Sequence, residues 1–246
     1  MKLIFYSVLV MLVFSVTTTA SMMIPANDNA KENEKAPEKS PVIGENWDLE
    51  RVDFIHYAKG GNPGKPKPGT DSCYKLMGIK WSSLPVEYVI NPSNSYGLSE
   101  GFVVNAVSAS SEAWDVETAS NLFGAAIVDY TASYGIQNYK NAIDFGDLGS
   151  GIIGITSVWY TRKGKQIVEF DIRLNTDYAW GDAALSSGVM DVQNIATHEL
   201  GHAVGMNDIY TTACSYVTMY GYSDYNDIGK RTLEQPDITG LRQMYG

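Results

Sequence analysis

The sequence predicts an α+β fold: one mixed, twisted β-sheet, two long helices and a short helix at the C-terminus. Three observations predict it. Apolar segments with period-two or short continuous patterning recur between residues 84 and 175. Only two long stretches, 98–118 and 191–206, carry apolar residues at helical spacing. The 246 residues include 16 tyrosines and 23 glycines, a composition suited to strands and turns rather than to a helical bundle.

The elements follow in order. Lys2, an apolar run over 3–16 and small residues at 17–21 read as an export signal, residues 1–21. That run is short for a membrane span, which needs about 20 residues. Residues 22–46 are rich in Pro, Asn, Lys and Glu without apolar periodicity, and 59–72 (KGGNPGKPKPGTDS) are rich in Gly and Pro. Between them WDLERVDFIHYA (47–58) reads as a strand or a docking element. We therefore read 22–72 as a propeptide or linker and place the folded domain at 73–246. LPVEYVI (84–90) is a strand ending at Asn91-Pro92. A helix over 98–118 has Ser99 as its N-cap candidate, with Gly101 weakening the first turn. AAIVDYTA (125–132) is strand-like, 141–161 reads as strand, loop, strand, and QIVEFDIRLNT (166–176) alternates. The second helix, 191–206, starts at the candidate cap Asp191. The last, around LEQPDITGLRQMYG, tolerates Pro236 in its first turn.

The second helix carries the chemistry, in HELGHAVGMND (198–208). His198 and His202 lie one turn apart, so both imidazoles project from one face and can grip one zinc ion. Glu199 can reach a metal-bound water without binding the metal. Gly205 can adopt positive φ and turn the chain. Asp208 then returns as a third ligand, and zinc accepts carboxylate oxygen. Three protein ligands leave one position for water.

These residues, followed by VTMYGY, resemble the metzincin metallopeptidases: the long zinc motif, then a Met-turn at Met219. Within them the chain is most similar to the matrixins, over about 73–246. WSSLPVEYVIN resembles their first strand, VEFDIRLNT the edge strand along their cleft, and LEQPDITGLRQMYG their C-terminal helix. The resemblance implies a metzincin-like zincin fold and a zinc-dependent endopeptidase with Glu199 as general base. Substrate would lie extended beside 166–174. Aspartate stands at 208 where most relatives have histidine, as in the snapalysin type, and the anionic ligand makes zinc a slightly weaker Lewis acid. The matrixin cysteine switch is missing: TDSCYKL does not match it. Cys73 and Cys214, the only cysteines, read as a disulfide, with a zinc-blocking Cys73 as the alternative. Tyr220 and Tyr222 fall one and three residues after Met219 and read as pocket wall or surface. Asp144, Asp147, Asp171, Asp177, Asp182 and Asp191 read as solvated loop carboxylates, with structural calcium as the alternative.

A net charge of −10 argues against nucleic acid or an anionic membrane surface as partner. The expected partners are protein or peptide substrates, and the expected form is a secreted, extracellular monomer. A catalytically silent module stabilised by its metal, or an adhesion protein acting through its N-terminal segment, stands as the alternative.

Overall fold

The computed structural model describes residues 48–60 and 72–246. The export signal and most of segment 22–72 lie outside the described residues. Among these residues, nine strands form: β1 (Leu49–Ala58), β2 (Tyr88–Ile90), β3 (Ile127–Val128), β4 (Asn141–Gly146), β5 (Ile152–Thr161), β6 (Ile167–Asn175), β7 (Trp180–Gly181), β8 (Met190–Asp191) and β9 (Tyr222–Ser223). Seven make one sheet in the order β3-β2-β4-β6-β5-β1-β9. Pairing is parallel from β3 to β6, antiparallel on both sides of β5, and parallel again between β1 and β9. The sheet is mixed, and the fold class is α+β with three helices.

One expectation needs correction. The segment 166–174 is not an edge strand: β6 is hydrogen-bonded on both sides, to β4 and β5. The chain reverses after β6's neighbour β5, which adds outside it and carries the position along the sheet that β6 was expected to hold. Among the described residues, the sheet also takes in a strand ahead of residue 73. Residues 49–58 form a ten-residue strand paired with β5 from Leu49↔Thr161 to Tyr57↔Ile152. Phe54 and His56, two apart on β1, share one face and are both buried, as the strand period requires.

The helices are built from their predicted signals. Helix α1 (Glu100–Asp115) starts where the Ser99 hydroxyl accepts from the Phe102 N–H at 3.2 Å. Helix α2 (Val192–Ala203) starts where Asp191 accepts from the Asn194 N–H at 2.8 Å. Its Ile195, Ala196 and Leu200 are fully buried. Burying a side chain the size of Leu or Ile contributes about 1.5–3 kcal/mol. The Trp114 indole N–H donates to the Thr197 carbonyl at 2.9 Å and locks α1 against α2. Helix α3 (Gln235–Tyr245) has Pro236 at its start and a capping box between Glu234 and Asp237. The Tyr245 hydroxyl donates to the Val204 carbonyl at 3.0 Å, tying α3 to the end of α2.

Candidate metal centre

Helix α2 ends in a sharp bend at Gly205, whose φ is +103°. A Cβ there would come within 2.5 Å of the Ile79 carbonyl oxygen, so both the dihedral and the space exclude other residues. The bend brings Asp208 back over the helix. Its Oδ1 lies 3.2 Å from His198 Nε2 and 3.4 Å from His202 Nε2. All three atoms are buried, and none has a hydrogen-bond partner. Buried polar atoms without partners are rare and costly, by about 1–3 kcal/mol each. Their other ring nitrogens are occupied: His198 Nδ1 meets the Thr218 carbonyl at 2.8 Å, and His202 Nδ1 the Met206 carbonyl at 2.9 Å. A carbonyl only accepts, so each Nδ1 carries the proton and each Nε2 presents a lone pair.

The residues fit a tetrahedral zinc ion. Ligand bonds of about 2.0–2.1 Å at tetrahedral angles set donors about 3.3 Å apart. The measured 3.2 and 3.4 Å bracket that value. Electrostatics agree. Burial, with the nearby Lys230 ammonium adding to it, pushes the His198 imidazole down to about 3, so it is neutral at ordinary pH. Burial opposes ionisation of Asp208, yet His202 and His198 outweigh it and hold the carboxyl well below its usual range. The Tyr210 hydroxyl donates to the other oxygen, Oδ2, at 3.1 Å. That leaves Oδ1 as the free donor.

Glu199 is fully buried beside this trio. Burial is the chief cause that raises its carboxyl to about 7, opposed by His202 and by the Thr156 hydroxyl, which donates to Oε2 at 2.6 Å. Met219 is buried beneath α2: a Cβ at Gly201 would overlap its sulfur and Trp114. Thr218, whose carbonyl orients His198, is held in turn by α3. Asp237 accepts from the backbone N–H groups of Thr218 at 2.9 Å and Met219 at 3.2 Å.

Cys73 and Cys214 form a disulfide with a Cα–Cα distance of 5.4 Å. Tyr220 and Tyr222 are half-buried, and Tyr222 packs against both Tyr220 and Tyr210. Of the six aspartates, Asp147 and Asp177 are exposed as expected, and the other four are held in the protein instead. Asp144 pairs with Arg173, Asp171 accepts from the Gly135 N–H, and Asp182 and Asp191 share Arg231. None of the six falls in a three-donor cluster among the described residues.

Four residues at the site escaped sequence reading. Thr156 and Tyr210 are ordinary in pattern, and Lys230 lies in a polar loop. Its ammonium is buried, donates to the Tyr220 carbonyl, and comes within 3.4 Å of His198 Nδ1. The last approach is mere proximity, since both atoms are donors. The fourth is His56, the remaining histidine of three. Its Nδ1 lies 3.2 Å from Glu199 Oε1, and its ring packs on that of His198 at 3.9 Å between centroids.

A histidine pair on a buried helix, an acid between them and a carboxylate beyond a glycine bend define the class of metallopeptidases. The matrixin family model matches residues 80–246, about two thirds of the sequence, and the chain belongs to that family. The zinc-dependent peptidase character of the chain follows from that membership. No curated protein matches the chain.

Proposed function

We propose that the chain is an exported endopeptidase that cleaves proteins, with His198, His202 and Asp208 holding zinc and Glu199 as the proton carrier. The observation that carries this reading is the trio of buried, unpartnered donor atoms set at tetrahedral-edge spacing. When bound there, zinc supplies Lewis acidity that activates water and polarises the scissile carbonyl.

The chain's own residues do the rest. Glu199 accepts the proton of the attacking water and returns it to the leaving amine. Its raised pKa suits both halves of that exchange. Thr156 fixes one carboxylate oxygen, Oε2, and the other, Oε1, carries the proton once it is clear of His56. The carbonyls of Thr218 and Met206 hold the imidazoles in the tautomer that presents Nε2. Tyr210 keeps Asp208 turned with Oδ1 inward. Residues 1–21 direct export, and 22–72 are removed from the mature enzyme, which acts outside the cell as a monomer.

The test joins metal analysis to a cleavage assay on casein. One zinc per chain and cleavage lost to a chelator and restored by zinc are expected. Glu199→Ala should keep the zinc and lose turnover. Undiminished cleavage by that variant removes Glu199 from the mechanism, and a chain that takes up no zinc overturns the reading. N-terminal sequencing of the exported protein should give a start near residue 70.

A further inference from the structure

We infer that the buried Lys230 ammonium balances charge at the metal centre: it offsets the negative charge that Asp208 brings as a ligand, and so keeps the zinc acidic enough for peptide cleavage; this rests on the peptidase reading. Three neutral ligands leave a zinc centre with two positive charges, whereas two imidazoles and a carboxylate leave it with one. A fixed cation against the ligands restores the missing charge. Lys230 is such a cation. It is only 4% exposed, and its Nζ donates to the Tyr220 carbonyl and lies 3.4 Å from Nδ1 of the ligand His198.

The fold gives that charge no other use. Among the described residues Lys230 makes no ion pair. Its remaining neighbour is His56 Nε2 at 3.3 Å, an acceptor when that ring carries its proton on Nδ1. A buried ammonium with no carboxylate against it is costly, and an apolar side chain of similar volume often does as well or better. The loop does not depend on the ammonium either. The Lys230 backbone N–H donates to Asn194 Oδ1 at 2.6 Å and ties residues 229–231 to α2, while Arg231 adds its pairs with Asp182 and Asp191. Nor is clearing His198 of its proton the main effect of Lys230, because burial is the larger cause that holds that imidazole down at about 3.

The charge is matched to the anionic ligand. Burial lowers the Lys230 ammonium to about 8, and of the groups that resist that fall Asp208 comes first, ahead of Asp227, Glu199 and Asp237. Lys230 does not meet Asp208 directly: Oδ1 faces the two histidines and Oδ2 takes the Tyr210 hydroxyl. The two charges act across His198 instead, the ammonium on the Nδ1 side of the ring and the carboxylate on the Nε2 side. A cation so placed repels a bound metal ion. At an effective protein dielectric of about 20 it loosens zinc by about tenfold or more. In return the ion is left better able to polarise a carbonyl. A centre that held its metal for structure alone would gain nothing from that exchange.

Three substitutions in the full chain separate charge from packing. Lys230→Met and Lys230→Gln remove the charge, and Gln keeps a donor for the Tyr220 carbonyl; Lys230→Arg keeps the charge. Urea unfolding shows that each variant folds, and Gln carries the test if Met does not. Zinc affinity, read at pH 7 by competition against a chromophoric chelator, should rise about tenfold in both neutral variants and stay within about threefold of wild type in Lys230→Arg. Casein cleavage by the exported protein at saturating zinc should fall about tenfold or more in the neutral variants and be largely kept by Lys230→Arg. A side chain that only held the loop would lower both readings together, since loss of an outer partner weakens metal binding by about 10–100-fold. Unchanged or weaker zinc binding in the neutral variants, an Arg variant that behaves like them, tighter zinc with undiminished cleavage, or failure of both neutral variants to fold overturns the inference. Zinc affinities in the expected order with no cleavage by any form, wild type included, sustain the charge balance and refute the peptidase reading instead.

Discussion

Asp237 offers a sharp test of how the metal centre is held, because it touches none of the donors. Its carboxylate accepts from the N–H groups of Thr218, Met219 and Glu234 at 2.9, 3.2 and 3.1 Å. Thr218 and Met219 are fully buried, so in Asp237→Ala their N–H groups have no water to turn to. Each buried donor left unsatisfied costs about 1–3 kcal/mol. The Glu234 N–H is partly exposed, and its loss is that of a helix cap, about 1 kcal/mol. The variant should therefore lose about 3–7 kcal/mol, a large share of the 5–15 kcal/mol typical of a domain. The Thr218 carbonyl, released with its N–H, no longer fixes His198, and outer partners of this kind are worth about 10–100-fold in metal affinity. Urea unfolding with and without zinc measures the first effect, and competition against a chromophoric chelator the second. Asp237→Asn, which keeps one acceptor oxygen, should fall between. A destabilisation under about 1 kcal/mol with unchanged zinc affinity would refute the view that α3 anchors the centre through this carboxylate.

Other consequences are as direct. Gly205→Ala meets both a left-handed φ and the Ile79 carbonyl, so it should cost at least about 2 kcal/mol and lower Tm by roughly 4–8 °C; an unchanged calorimetric Tm would show that the bend tolerates a side chain. Burial, aided by Glu169 and opposed by the Gly135 N–H, pushes Asp171 up to about 7. A group whose folded pKa is raised contributes stability below its unfolded value, near 3.8, and loses it as pH rises through 7. Denaturant unfolding across pH 4–8 should thus show wild type losing stability relative to Asp171→Asn, and a relative gain would reverse the assignment. The disulfide closes a loop of about 140 residues, for which chain entropy gives about 5 kcal/mol as an upper figure. The double substitution Cys73→Ser, Cys214→Ser should approach that loss in urea, and stability equal to wild type would show that the bridge constrains little.

What the sequence made legible was local. The caps at Ser99 and Asp191, the proline at 236, the glycine bend at 205 and the His-Glu-His spacing each act within a few residues, where steric and hydrogen-bonding rules are strong. What it hid was long-range. Nothing within 141–176 says that β5 adds outside β6, because both strands are apolar enough to lie inside a sheet. Strand β1 was harder still. Only two of its ten residues are buried, and its partner lies about a hundred residues away. Its neighbours on both sides have the composition of a linker, which outweighed its own weak alternation. His56, Lys230 and Thr156 meet only once that sheet is closed, so their role has no signature in spacing.

The aspartate at 208 shows how one departure from the commoner motif is absorbed. A carboxylate brings negative charge and a second oxygen that a histidine lacks. Left free, that oxygen would compete for the metal and lower its acidity. The structure deals with the second oxygen directly: the Tyr210 hydroxyl donates to Oδ2 and draws off part of its charge. Tyr210 is two residues away, on the same side of the chain, and is backed by Tyr222 at 5.3 Å. Tyr210 therefore does more than pack against Tyr222. In the proposed centre it would turn a two-oxygen ligand into a one-oxygen ligand, since Asp208 presents to the histidines a single atom at 3.2 and 3.4 Å, the spacing a third imidazole would have to match.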